Sequence, residues 1–546
     1  MPHARKWMCI LLGALMLMSA LSGCAERDAD EAEHFVVRAA VCDRIDSLDP
    51  AMNVDAGAES LFGAIYENLL RLRLDEEGNG VPEPGVAKEY TVVENFDGTV
   101  DYVFTLRASA RWSDGTRVKA KDFVYAWRRL VNPATDSPNC ALLSMVQGYE
   151  EARESGDATQ LAVKADGDTT FRVTLSGPCA SFLSDVCTAV PTMPLRSDSA
   201  NKDPNWASSS ALLCNGPYRI GVWAKEEYLQ LRRNSSYYES RMVTPDTLRF
   251  VFAEDSAAAW RACQEGDVDY VADPPARADG VAYLPLRSTV CVLYNHMSEA
   301  FSNEHVRRAF DLSLDRAAVA AAAGAGAEPA TGLVPHGVVN AAADETEDFR
   351  TAGGALIAVD EEGYPMRILE AESELRTGGH WCGMGFPEVT CLYVADSGML
   401  AATAAAVEAW RERLNVTITA EGVTREEFVQ RVNDGEYDLA IDVLSADWGD
   451  AMDYLAPFAG TDGSNALHYV STPYDLLIGV AATSRDPAAR TAFLHDAEEL
   501  LLGDAALSPL YFCGAAYYLD DSLEGVRHDW HGNAYFDAVT RTGAEE

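Results

Sequence analysis

Apolar positions recur along the chain with two periods, about 3.6 and about 2, and the segments that carry them alternate without a fixed repeat. That order predicts an α/β architecture. In ESLFGAIYENLL, Leu61, Ile65 and Leu69 fall on one helical face before DEEGNG interrupts it. The stretch VDYVFTLRASARW reads as a strand closed by the turn Ser113-Asp114-Gly115. KAKDFVYAWRRLV follows as a helix with Phe123, Trp127 and Leu130 inward and Pro133 past its end.

Later segments carry equally clear punctuation. Asn303 is placed to cap EHVRRAFDLSLDR, in which Val306, Phe310 and Leu314 form the inner stripe. Leu400, Ala404, Val407, Trp410 and Leu414 form another stripe in MLAATAAAVEAWRERL. Thr424 and Glu427 make a capping box ahead of Phe428 and Val432, with Gly435 after the last turn. The strand YDLAIDVL then sets Leu439, Ile441 and Val443 on one side. Asp486 and Pro487 open a further helix that Gly503 ends, and SPLYFCGAAYY reads as a buried strand.

The first residues follow a different rule. Arg5 and Lys6 lead into an apolar run from Trp7 to Leu21, long enough for the core of an export signal and short for a membrane span. The run ends in Leu21-Ser22-Gly23-Cys24, which resembles the lipobox of bacterial lipoproteins. That resemblance implies a leader over 1–23, lipidation (palmitate) at Cys24, and a mature chain tethered to the cell membrane from outside the cytoplasm. AERDADEAEH has little to bury and reads as a flexible tether, completing the segment 24–34.

With 546 residues, 48% of them apolar, the chain can bury a large core divided among two or three domains. Its formal charge is -42, and removing the leader with its two basic residues makes it -44. Such a surface repels phosphate backbones, which excludes nucleic acid as a partner. Beyond Cys9 and Cys24 stand ten cysteines, an even number that permits up to five disulfides in an exported protein. The pairs Cys179/Cys187 and Cys382/Cys391 are the closest candidates for local bridges.

One stretch raises a chemical question. LSADWGDAMDYL, at 444–455, sets three carboxylates around a tryptophan, a methionine and a tyrosine, directly after the apolar-rich LAIDVL. Either it is an acidic loop with a few packed side chains, or one acid faces a pocket and meets a positive charge.

The order of several fragments bears on that choice. SLDP at 47–50, IYENLLRL at 65–72, PEPGVAKEY around Gly85, FTLRASARWSDGTRVKAKDFVYAWRRLVNP at 104–133, CNGPYRIGVW at 214–223, LRRNSSYY at 231–238 and VRRAFDLSLDR at 306–316 occur in sequence. Together they resemble the extracytoplasmic solute-binding proteins of peptide-type ABC importers, over about residues 36–539. The resemblance implies an α/β, two-lobed periplasmic-binding-protein fold of the class II type, with an extra subdomain inserted in the first lobe. Lobe I would comprise 35–60, 210–285 and 505–546, the insert 61–209, and lobe II 286–504, with closure about crossing segments near 285 and 505.

The same resemblance gives the acidic stretch a role. Relatives carry a loop of the form G-A-D-Y-x-D-P-M-x-Y/F-L, here S-A-D-W-G-D-A-M-D-Y-L, with Ala451 in place of the proline. Asp447 falls on the aspartate that binds the peptide's α-ammonium group. Trp448 takes the tyrosine position, and Asp450 and Asp453 read as caps or solvated acids. The peptide backbone would add a strand to a cleft edge at Val443, Leu444, Ser445 and Ala446, and to one around Cys214–Gly216 or residues 43–48. Trp448, Tyr454 and Tyr294 are candidate pocket walls. Where some relatives place a basic residue for the ligand's C-terminus, this chain has Ile441 and Met399, and Arg425 replaces an aromatic.

The implied partners are an oligopeptide ligand and the permease and ATPase subunits of an importer, the protein itself being a monomer without a cofactor. Alternative cargoes in such a fold are nickel, haem or a signalling peptide. For metal, only His528 and His531 in HDWH and His380 beside Cys382 are suggestive neighbours. A lipid-anchored hydrolase is the reading from another class. No G-x-S-x-G elbow or H-E-x-x-H helix occurs, so no catalytic residue is assigned and the chain is not expected to be an enzyme.

Overall fold

The computed structural model describes residues 34–543 apart from 43–44, 54–55, 73–81, 180–181, 276–277, 325, 341–347, 396–397, 446–448, 461–464 and 530. The leader, Cys24 and nearly all of the acidic tether lie outside the described residues. Among the described residues no helix is long and apolar enough to cross a membrane.

Buried side chains divide into separate clusters. The largest gathers residues from Val37 to Tyr270 with Leu523 to Val539, and two others gather residues between Val290 and Tyr511. We call the parts built on these cores the first and second lobes. An eleven-stranded sheet runs through both, in the order Ile418–Val423, Val389–Val394, Leu439–Ser445, Ala282–Tyr294, Leu507–Leu519, Tyr270–Ala272, Val36–Val41, Thr247–Phe252, Tyr228–Arg233 and Tyr218–Ala224, with Glu328–Pro329 joined to the side of Leu507–Leu519. A separate four-stranded antiparallel sheet, Ala87–Glu94, Val100–Leu106, Thr170–Leu175 and Val163–Ala165, packs within the first lobe.

Two long strands pass from one lobe to the other. Ala282–Tyr294 pairs with Leu507–Leu519 as Pro285↔Gly514 and then as Thr289↔Phe512, so the register shifts across Leu286, Arg287 and Ser288. A second shift separates Val290↔Tyr511 from Cys291↔Pro509. Pro285 and Pro509 have no N–H to give, and the ladder yields where they stand. Such an irregularity re-aims a side chain, and Arg287 is the charged residue inside it.

Local signals place most helices where the pattern puts them. Ala120–Val131 buries Phe123, Trp127 and Leu130 fully. Asn303 accepts from His305 N–H, Thr424 from Glu427 N–H, and Asp486 from Ala488 and Ala489 N–H at their helix starts. Two expectations change. The first helix covers Ala56–Ile65 and stops short of Leu69, because the Asn215 side chain takes both the N–H and the C=O of Glu67 and Gly216 N–H bonds to Ile65 C=O. In Leu400–Leu414 the buried stripe is Ala402, Thr403, Ala406, Val407, Trp410 and Leu414, while Leu400 and Ala404 are exposed. Trp410 fixes that rotation by donating its indole N–H to Phe310 C=O across the core.

Among the described residues no disulfide joins Cys179 to Cys187 or Cys382 to Cys391, the two candidate local bridges. Cys391 lies within the strand Val389–Val394 and is buried, whereas Cys382 is exposed.

Candidate functional site

The strand Leu439–Ser445 places the acidic stretch. It pairs along its whole length with Ala282–Tyr294, from Leu439↔Tyr294 to Ser445↔Ser288. On its other side Val389–Val394 pairs only as far as Ile441. From Asp442 to Ser445 the second edge therefore carries no strand partner among the described residues. Val443 is half-buried, and its N–H donates to the Asp442 carboxylate at 2.9 Å. Ser445 is exposed, and its hydroxyl meets that of Ser288 at 2.9 Å.

The loop after this strand is held by buried contacts. Ala446, Asp447 and Trp448 lie outside the described residues, and the chain resumes at Gly449. Gly449 N–H donates to Asp185 Oδ2, and Gly449 C=O accepts from Val339 N–H at 2.9 Å. Arg287 Nη2 donates to Asp185 Oδ1 at 3.1 Å, with side-chain exposures of only 5% and 2%. A side chain at 449 would start 1.9 Å from Arg287 Nη1, so any residue but glycine would have to displace the buried guanidinium. Asp450 then caps the helix Ala451–Leu455 through Met452 N–H and pairs with Arg490 at 2.9 Å.

Two cores of the molecule meet at this point. Asp185 belongs to the helical turn Phe182–Val186, whose Phe182 and Val186 sit in the first-lobe core. Ala451 and Tyr454 sit in a second-lobe core. Burial pushes the Asp185 carboxyl above its ordinary value, with the Arg287 guanidinium opposing that rise. Beside the contact, on the first-lobe side, lies a cavity of about 230 Å3 whose walls include Glu59, Asp185, Asp529 and His531.

Several sequence expectations need revision here. Tyr454 is buried, and its hydroxyl donates to Arg287 C=O at 2.6 Å, so it anchors the loop to the crossing strand. Tyr294 is a core residue as well: fully buried, it stacks on Phe301 and shares a 2.9 Å hydrogen bond with Ser508. Neither ring presents a wall to a cleft. The edge around Cys214–Gly216 is already used, since Cys214 C=O accepts from Ser113 N–H and Gly216 N–H donates to Ile65 C=O. Ile441 and Met399 are buried, and Arg425 pairs with Asp442 at 2.7 Å.

His528 belongs to a short strand, Arg527–His528, where it bonds to the Tyr270 hydroxyl at 3.2 Å; burial lowers its pKa to about 4. Among the described residues no group of three or more His, Cys, Asp and Glu side chains is assembled to hold a metal ion.

Sequence reasoning passed over Asp185 and Arg287. The signal was a single charge inside each apolar run, SFLSDVCTAV and LPLRSTVCVLY. A charge in a stretch that must be buried calls for a partner, and the two supply it to each other.

Comparison with known proteins bears on the whole arrangement. A profile described as bacterial extracellular solute-binding proteins, family 5 (middle region), matches residues 81–466, more than half of the chain. The dipeptide-binding protein DppE of Bacillus subtilis is 25% identical over 492 residues, covering 88% of each chain. The unliganded open form of the periplasmic murein tripeptide binding protein MppA superposes with a TM-score of 0.78 at 22% identity, over 93% of this chain and 98% of that one. Haemophilus influenzae OppA in complex with RPPGFSPFR gives 0.68 at 21% identity, over 93% and 99%.

Proposed function

The chain belongs to the bacterial extracellular solute-binding proteins of family 5, and from that premise we propose that it captures peptides between its two lobes for a membrane importer. The observation that carries this reading is the open strand edge at Asp442–Ser445, which leads into the loop whose stem is fixed at the junction of the lobes. An extended peptide can add to such an edge through its backbone, which gives affinity independent of its side chains. A carboxylate at Asp447 would read the free α-ammonium group, the one feature all unblocked peptides share.

The cycle is capture, closure and delivery. Peptide contacts to both lobes shift the population towards a closed form, which a permease and its ATPase then recognise. Lobe boundaries at 35–60, 210–285 and 505–546, at 61–209 and at 286–504 belong to this proposal. So do a monomeric state and an anchor at Cys24 that keeps the protein beside the permease. The intact mass of protein extracted from membranes should exceed that of chain 24–546 by a lipid, and substitution of Cys24 by alanine should remove the increment.

Native mass spectrometry of protein purified without denaturation tests the cargo. Short peptides with free amino termini are expected in the complex. Recovery of a metal, haem or an amine-free small molecule instead would overturn the peptide reading.

A further inference from the structure

The contact between Asp185, Arg287 and Gly449 does more than fill space. Asp185 comes from the first lobe, Arg287 from the irregular stretch of a crossing strand, and Gly449 from the second-lobe loop, with 102 and 264 residues of chain between Asp185 and its two partners. Burying a charge pair is worthwhile for stability only weakly, since apolar packing can do as well. What the pair adds is direction: both oxygens of one carboxylate are committed, each to a different element. Arg287 is itself fixed from behind, because its C=O accepts from the Tyr454 hydroxyl at the far end of the same loop.

We infer that Asp185 is a positioning residue of the peptide site, holding the stem of the 444–455 loop at Gly449 and the crossing strand at Arg287 in one register with the first lobe. This inference rests on the peptide-capture reading. Asp447, the carboxylate proposed to read the amine, stands two residues before Gly449 in the sequence, and Gly449 has no side chain of its own to anchor it. The first lobe fastens it through the backbone N–H. The Arg287 guanidinium fills the space where a Cβ at 449 would stand, so the backbone of the loop stem packs directly on the charge pair. A ligand site works only when the groups around it are held this way by their neighbours.

The experiment uses the full-length protein, its Asp185→Asn and Gly449→Ala variants, and a short-peptide library in free-amine and N-acetylated forms. Asp185→Asn keeps the shape and removes the charge. Gly449→Ala leaves both charges intact and drives the loop off Arg287. Each variant should weaken free-amine peptides by about tenfold or more, the scale on which supporting partners act on the ligands they orient. N-acetylated peptides should be nearly unaffected, and Asp185→Asn should add little in an Asp447→Asn background. Hydrogen exchange at the Gly449 amide should accelerate in Asp185→Asn with or without peptide.

Equal losses for free-amine and acetylated peptides would mark the contact as merely structural and overturn the inference. So would slow Gly449 exchange in Asp185→Asn. If the wild-type protein takes up no peptide at all, the peptide reading fails on its own, and exchange at Gly449 in the unliganded protein still decides whether Asp185 holds the loop.

Discussion

Replacing Asp447 by alanine should weaken binding of a free-amine peptide by tens-fold or more, and should barely change binding of the same peptide N-acetylated. Between closed lobes the local dielectric is low, and removing one member of an enclosed charge pair costs on the order of 3 to 5 kcal/mol. Residual water in the cleft lowers that figure, and about 2 kcal/mol already corresponds to tens-fold in affinity. The acetylated peptide has no charge to lose. Isothermal calorimetry on both ligands separates the outcomes, and equal losses would remove Asp447 from the site.

Arg350→Ala should cost on the order of 3 to 5 kcal/mol of stability, because it leaves a carboxylate stranded in the second-lobe core. Glu498 is fully buried and Arg350 nearly so, paired at 2.7 Å. The same Glu498 oxygen accepts from Leu333 and Val334 N–H at 2.7 and 2.9 Å. It thereby pins the segment after Gly332, where a Cβ would stand 1.6 Å from Arg350 Nη1. Burial raises the Glu498 carboxyl, and Arg350 and the two backbone donors oppose that rise. Without the guanidinium the glutamate would take up a proton or admit water. Glu498→Gln keeps an acceptor for both N–H groups but leaves the buried guanidinium, which cannot shed its charge, without a counter-ion, and should destabilise on the same scale. Urea unfolding of the two variants checks both losses; wild-type stability in Arg350→Ala would show that the charge is not buried as described.

What could be read from the chain, and what could not, divides along physical lines. Helix caps at Asn303, Thr424 and Asp486 were legible because a side-chain oxygen and the N–H it accepts lie within one turn of each other. The α/β class and the buried faces of Ala120–Val131 followed from periodicity, which is equally local. The family resemblance rested on several such fragments in order, and the two-lobed fold agrees with it.

Tyr294 and Tyr454 show where that reading stops. An aromatic ring in an apolar stretch has the same sequence signature whether it walls a cleft or fills a core; only the partners, Ser508 and Arg287 C=O, decide it. The helix end at Ile65 was likewise set by Asn215, far along the chain. By itself the sequence determined the α/β class and the caps and buried faces of several helices, while the lone charges at 185 and 287 stood in it unread. Only the tertiary structure decided that they match each other and catch Gly449 between them, because such pairing depends on how two strands cross between lobes, a geometry that no local pattern encodes.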